Sequence, residues 1–524
     1  MIPKYVYRSK IFGEFSPEEQ EQYFGLKDKC VRSHIDTLYY FVKIRGDTND
    51  TENTGILTFL AELADLKERK KSSYSSMIDF HGLSVEANGF SIYEYRLSLP
   101  EMFDIFISSY IPNDETPRIV VQLRTRSLVL EGPYEAVRNS MKYVREILSE
   151  YDLMIGLLDV NRVDYAYHTN MIQNPIKYFN DEKLKKCLSS SLRKYMKVGT
   201  VGDDVTLETL SLGNRKSNNI FFRCYDKTRE VIEKGYKSFF IEKWKEDGLI
   251  SEYDYYVLMY AYENHSYVAG LHIGRMLWYI RYGHDEFLKE KFYGLMEKYR
   301  KRSDNNKRLR EQIDDYAELE NEIEGLLPKT TLVMNIEFQT KRKFYCELSE
   351  MIKNVNPDCE PEYRNIFSVI ALRASIQKYL TSETVCWFCD RKKRDKVLDW
   401  WKRIQNCEIE SAGDYGNLVR HRDLNSDIRK TERRLKITIA HMQILRNLST
   451  EPKTFHEDAS DVLSYLNDND FYGFGKNPLG GQVILKQKDY GDIRERKARQ
   501  DKGLVKSIQL KKELILKMQE ENKN

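Results

Sequence analysis

The chain has 524 residues, 41% of them hydrophobic and 31% charged. That apolar share is enough to bury a core and excludes a disordered chain, and at roughly 100–200 residues per domain the length allows two to four domains. Lys and Arg number 84 against 81 Asp and Glu, a net charge of +3, so bulk charge marks no nucleic-acid protein and only clustering of basic residues can.

Eight cysteines without a regular framework fit a reducing compartment, and the expected location is the cytoplasm. The opening MIPKYVYRSK has no apolar run of the kind a secretory leader carries. The longest apolar stretch, 267–280, includes His272 and Arg275, is too short to span a bilayer, and reads as a helix packed inside the protein. No membrane association is expected.

In chain order, residues 1–30 read as a polar arm with a short helix after Ser16. VRSHIDTLYYFVKI (31–44) is rich in β-branched and aromatic types and reads as a strand. A loop follows at 45–55, then a helix over 57–71, and short strands broken by Gly, Pro and Asn over 80–130. YEAVRNSMKYVREILSEY (134–151) spaces its apolar residues three and four apart, as an amphipathic helix does. Strands are predicted at 155–169, 217–229 and 328–345, and a helix at 182–197. The result is an α+β chain. Its mostly antiparallel sheet domain (31–235 and 328–346) is interrupted by a helical insert (236–327). A helical C-terminal region (347–450) and a polar basic tail (451–524) follow.

Side chains alternate across a strand, so parity separates its two faces. LDVNRVDYAYH shows Arg162, Asp164, Ala166 and His168 on one face, with Val163, Tyr165 and Tyr167 on the other. NNIFFRCYDK shows Arg223, Tyr225 and Lys227 against Ile220, Phe222 and Cys224. TTLVMNIEFQ shows Asn335, Glu337 and Gln339 against Met334, Ile336 and Phe338, and RIVVQLRTRS shows Gln122, Arg124 and Arg126 against Val121 and Leu123. A wet sheet face is ordinary. One made of acids, a histidine, arginines and a single tyrosine suits phosphate chemistry if these strands are neighbours. Attack on a phosphodiester needs positive charge on its oxygens and a metal or acid at the leaving group. Arg223 and Lys227 would hold the phosphate and favour the Tyr225 phenolate. Asp164, His168 and Glu337 would ligate Mg2+ or Mn2+. Asp226 has the opposite parity.

These segments resemble the Rep_trans family, which holds rolling-circle replication initiators of small plasmids and relaxases of conjugative elements. FFRCYDKTRE (221–230) resembles its active-site strand, LDVNRVDYAYH its upstream Arg-x-Asp strand, and VMNIEFQTK (333–341) its downstream Arg-x-Glu-x-Gln strand. Asn335 stands where that last strand often has Arg. The resemblance covers roughly residues 31–345. It implies a metal-dependent DNA nicking and rejoining domain in which Tyr225 becomes joined to the 5′ end of nicked DNA. It also implies DNA as the partner, at an origin of replication or transfer, with a homodimer and a host helicase as further partners to look for.

Other features point to packing. Cys386 and Cys389 form a CxxC without a second pair at zinc spacing and read as buried helix cysteines. Trp387, Trp400 and Trp401 read as core, and Gly270 and Gly274 as a close helix contact. Basic runs at Arg391, Lys392, Lys393 and Arg394, between Arg420 and Lys436, and between Arg494 and Lys506 suit contact with duplex DNA phosphates; Arg162, Arg124, Arg126 and Gln339 on the sheet are expected to contact DNA. The alternative is a DNA- or partner-binding protein that keeps the fold without nicking. A tyrosine recombinase is excluded, because its tyrosine lies on a helical domain behind a His-x-x-Arg, and here Tyr225 is on a strand.

Overall fold

The computed structural model describes residues 1–409 except 28–29, 46–53, 73–76, 111, 113–116, 176–178, 180–186, 191, 193–195, 202–205, 306–318, 353–364 and 390–395, with a few isolated positions between 434 and 464. One compact unit comprises residues 1–350 and 360–419, and a second comprises 351–359 and 420–524. In the second unit, Arg434 and Thr438 are helical, and the Thr438 hydroxyl donates to the Arg434 carbonyl.

Thirteen strands are described: β1 (Val31–Ile44), β2 (Asp79–Phe80), β3 (Leu83–Val85), β4 (Tyr95–Leu99), β5 (Phe103–Ile107), β6 (Ile119–Leu123), β7 (Ile155–Thr169), β8 (Leu188–Ser190), β9 (Lys197–Val201), β10 (Thr206–Leu212), β11 (Ile220–Asp226), β12 (Met334–Lys341) and β13 (Val385–Trp387). Eleven of them form one antiparallel sheet in the order β2-β3-β4-β5-β6-β1-β7-β12-β11-β10-β9. The long pair β1 and β7 lies near its middle. Strand β12, separated from β11 in sequence by the helical insert, is inserted between β7 and β11. The α+β class and the antiparallel sheet are as the sequence predicts.

The apolar face of the sheet is covered by helices. Helix Pro133–Ser149 buries Val137, Ser140, Val144 and Ile147, which are three and four apart. Its Ser140 hydroxyl meets the Tyr40 hydroxyl of β1 at 2.8 Å. Behind β11, Phe222 packs against Trp387 and Trp401 at 5.9 and 6.4 Å between ring centroids. Trp387 and Trp401 are core, as expected, while Trp400, 5.3 Å from both, is only half-buried.

Some boundaries differ from the sequence reading. The strand expected through residue 130 stops at Leu123, and a helix runs over Thr125–Leu130. The strand at 220 stops at Asp226 because its carboxylate caps a helix over Lys227–Lys234, accepting the Arg229 amide. Within the helix expected over 182–197, Leu188–Ser190 form strand β8 and Lys197 opens strand β9. The region after 347 is not wholly helical, since β13 pairs with β8. Cys386 is buried on that strand and Cys389 is exposed beyond it, so neither is a helix cysteine.

The arm at 1–30 is also not a solvated appendage. It carries the expected helix after Ser16 (Pro17–Phe24, with a Ser16–Glu19 capping box). Its Phe12, Phe15 and Phe24 enter one core cluster with Tyr253, Trp278 and Tyr279 of the insert. Within the insert, helices Glu252–Glu263 and Val268–Tyr282 approach closely at Gly270, where a Cβ would come within 2.7 Å of the Ala261 Cα. Among the described residues no helix is long and apolar enough to cross a membrane.

Candidate active site

Register sets the site. Across β11, β12 and β7, Tyr225 lies opposite Asn335 and Asn335 opposite His168. In the next row on the same face come Arg223, Glu337 and Ala166, then Gln339 and Asp164, then Lys341 and Arg162. Opposed residues share a face, so the polar sets do meet on one side. Two adjacencies differ from expectation. Strand β12 separates Asp164 from the tyrosine strand, and β1 separates β6 from β7, with Tyr39 linking Gln122 to Arg162.

The Tyr225 hydroxyl accepts from Asn335 Nδ2 at 2.9 Å and Lys227 Nζ at 3.3 Å. The Arg223 guanidinium stands 4.9 Å from the Tyr225 ring centroid. Lys227 is the first residue of a helix rather than part of the strand. The turn at Asp226 still brings its ammonium within 5.5 Å of the same ring centroid. Asp226 points away, toward the Tyr267 hydroxyl at 2.9 Å, in keeping with its parity.

The electrostatics only partly follow the sequence reading. Lys227 and Arg223 do pull the Tyr225 phenol toward ionisation, but burial outweighs them and raises it well above its usual value. Tyr225 is 8% exposed, and its phenol stays protonated here. Lys227 is fully buried, and burial disfavours its charge. The carboxylates of Glu230 at 2.6 Å and Asp36 at 3.9 Å offset that and keep it charged.

Glu337 is buried beneath Arg223, which donates to its Oε2 at 2.7 Å. Asn335 Nδ2 lies 3.3 Å from the same oxygen, so this amide touches both the phenol and the carboxyl. Glu337 Oε1 has no hydrogen-bond partner among the described residues. Burial first, then repulsion from Asp164 and Asp36, lifts the carboxyl to about 7 against the pull of Arg223.

Asp164 is held by Arg162 of its own strand, whose Nε donates to one carboxylate oxygen at 2.8 Å while its NH2 group contacts the other. His168 is fully buried. Its Nδ1 accepts from Trp244 Nε1 at 2.9 Å, and its ring packs 4.3 Å from His34 and 4.7 Å from Phe240. Burial pushes both imidazoles down, His34 to about 3. Asp36 occupies a bulge in β1 between Ile35 and Thr37 and faces Lys227 and Lys237 at 3.9 and 3.8 Å. Burial favours its neutral form, yet the two lysines hold it well below the usual carboxylate range.

The residues do not assemble into a metal centre. Among the described residues no three His, Cys, Asp or Glu side chains stand together as a cation site. Asp164 and Glu337 each have an arginine, and His168 has a tryptophan N–H. The set expected for Mg2+ or Mn2+ thus shares a face without converging.

The remaining predicted residues are dispersed. Arg124 caps no bond of its own helix but grips Asp104 of β5 through Nε at 3.0 Å and NH2 at 2.6 Å. Arg126 is past the end of β6, on a helix, and pairs with exposed Glu101. Gln339 accepts from Arg215 Nε at 3.2 Å. Arg391, Lys392, Lys393 and Arg394 lie outside the described residues, as do the C-terminal basic runs apart from Arg434. Tyr165 and Tyr167 are buried on the apolar side, with the Tyr165 hydroxyl 3.1 Å from that of Tyr345. Sequence reasoning missed Asn335 as the partner of Tyr225, and Asp36, His34, Glu230 and Lys237 altogether. Parity could have flagged Asn335, and His34, which stands on β1 opposite Ala166; Asp36 arrives through a bulge, and Glu230 and Lys237 from outside the strands.

No protein family matches the chain by sequence profile, and no curated protein matches it. Among solved structures, it is similar to a rolling circle replication initiator protein from Geobacillus stearothermophilus. The identity is 12% and the TM-score 0.31, over 73% of this chain and all of the other. A likeness that loose carries no argument of its own.

Proposed function

We propose that this chain nicks and rejoins one strand of DNA, with Tyr225 as nucleophile and a 5′-phosphotyrosyl intermediate, in rolling-circle replication or conjugative transfer of a mobile element. The observation that carries the reading is the Tyr225 hydroxyl held by Lys227 and Asn335 beside the Arg223–Glu337 pair. The scissile phosphate would enter on the Arg223 side, where the guanidinium is about one-third exposed, and its charge would be met by Arg223 and Lys227. As the phenolic oxygen bonds to phosphorus, the P–O3′ bond breaks and the 3′ oxygen leaves as a hydroxyl, taking a proton from solvent. The phenolic proton would pass to Glu337, whose carboxyl near 7 suits a general base at neutral pH. Rejoining is the reverse: the 3′ hydroxyl attacks and gives its proton to solvent, and the phenol takes its own proton back from Glu337.

Mg2+ or Mn2+ belongs to this proposal only through the resemblance, since the side chains as they stand do not fit a cation. Chelation tests it. If EDTA stops nicking and Mn2+ restores it, the reaction needs a cation that these side chains do not hold as they stand. The burial of Tyr225 favours a second reading, a DNA-binding protein of the same face that does not nick. The deciding experiment incubates the full chain with Mn2+ and supercoiled DNA carrying its element's origin, then maps any covalent adduct by peptide analysis. DNA on Tyr225 supports the first reading, DNA on another tyrosine overturns the assignment, and binding without an adduct selects the second.

A further inference from the structure

The polar face continues past Tyr39 onto β6, β5 and β4, where no part of the chemistry above is located. Asp104 lies opposite Gln122 on β6 and Ser98 on β4, in the row that includes Tyr39 and Arg162. It is buried and gripped from both sides, by Arg124 as described and by Arg96 Nε and NH2, each at 3.1 Å. Two guanidiniums on one carboxylate leave a net positive charge, and both are about one-third exposed. Because Asp104 fixes them, little side-chain entropy remains to be lost when an anion binds.

The same patch is aromatic. Phe41, Phe106 and Val120 form a small cluster on this face with Tyr39 and Tyr93 packed against it. Phe90, 69% exposed, lies 6.1 Å from Phe106 between ring centroids. Arg96 stands over Phe106 at 5.9 Å and Arg162 over Tyr39 at 5.5 Å.

We propose that Phe90, Tyr93, Arg96 and Arg124 form a stacking-and-phosphate platform for single-stranded DNA, separate from the Tyr225 site but on the same sheet face. An exposed ring, Phe90, and a half-buried one, Tyr93, beside anchored arginines can recognise unstacked bases and backbone together, without regard to sequence. Strand steps of about 4.8 Å and a rise of about 3.4 Å per residue put the platform roughly 30 Å from Tyr225. A strand of the about 4–16 nucleotides that single-strand binding folds cover can reach between them. The platform thus holds the strand that leads to the nick. This rests on reading the face as a DNA face, but not on nicking.

The test measures fluorescence anisotropy of a labelled oligothymidylate of about 16 nucleotides with the full chain at several salt concentrations. Phe90→Ala alters an exposed ring, and Arg124→Gln leaves Arg96 on Asp104, so both variants should fold, which circular dichroism checks. Each is expected to weaken binding about tenfold, the loss of one stacked base or one held phosphate. Arg124→Gln should also flatten the salt dependence by about one ion. Arg138→Gln, which removes a charge from the exposed side of helix Pro133–Ser149 over the opposite face, should by contrast bind as wild type does. Wild-type affinity in both folded platform variants would leave the patch to a protein partner and overturn the proposal, as would no binding of oligothymidylate by the wild type. Binding that depends on the platform, in a protein that never forms an adduct, would keep the platform and reject only the nicking reading.

Discussion

The polar face of the central sheet is closed at one end and open at the other. Around Tyr225 the polar groups are roofed. Lys227, His168 and Glu337 are fully buried, with Phe240 and Trp244 of the insert against His168. Around Asp104 the acid is equally buried, but its two arginines and Phe90 reach solvent. Burial raises the Tyr225 phenol and Glu337 and lowers His168, because desolvation penalises whichever form is charged. Neither Arg96 nor Arg124 is dry, so they can meet a phosphate without first losing a wall. A reacting group gains from a dry, fixed setting and a binding group from access. One sheet supplies both by carrying helices over only part of a face.

The strongest test of that division is the nucleophile. Tyr225→Phe removes one oxygen, retains the ring under Arg223, and should fold normally. Adduct formation and nicked circles are expected to fall by at least about 10^4-fold, while DNA affinity changes little. A Phe variant that still nicks would end the assignment of Tyr225.

Glu337→Gln comes next, with an expected loss of about 10^2–10^4-fold in nicking rate, the usual worth of a general base. The carboxyl sits near 7 in the folded protein, so the base form predominates above that pH and the proton-loaded form below it. Wild-type single-turnover rates should therefore fall about tenfold per unit as pH drops below about 7, and the glutamine variant should lack that step. A wild-type profile flat from pH 5 to 8 would reject Glu337 as the base.

Asn335→Ala removes one hydrogen-bond donor from the phenol and is expected to cost about 10^2-fold in rate. Asn335→Asp, which keeps the shape but adds charge beside Glu337, should be no better. Full activity in the alanine variant would mean that Lys227 alone orients the phenol.

The smallest effect is expected from deleting residues 420–524, most of the second compact unit. Cleavage of a single-stranded oligonucleotide should stay within about twofold of wild type, while binding to duplex origin DNA weakens and loses salt dependence as Lys and Arg contacts to phosphate are lost. A cut at residue 380 would be uninformative, since it removes Trp387 and Trp401, which back Phe222 on the tyrosine strand.

The amino-acid sequence by itself determined what depends on short-range periodicity. Alternation along 158–168, 220–226 and 334–339 separates polar from apolar faces, and the structure keeps that separation for Arg162, Asp164, His168, Arg223, Tyr225, Glu337 and Gln339. Helix 133–149, the sheet's antiparallel character and the core tryptophans were legible for the same reason: local spacing sets which side chains can share a face. Tertiary structure decided what no local pattern encodes. Strand order set β12 between Tyr225 and Asp164, a bulge turned Asp36 toward Lys227 and Lys237, and the insert delivered Trp244 to His168. Ion pairing did the rest: Arg162 and Arg223 occupy the acids that sequence alone would assign to a metal, because a buried carboxylate takes whichever cation the folded chain brings nearest.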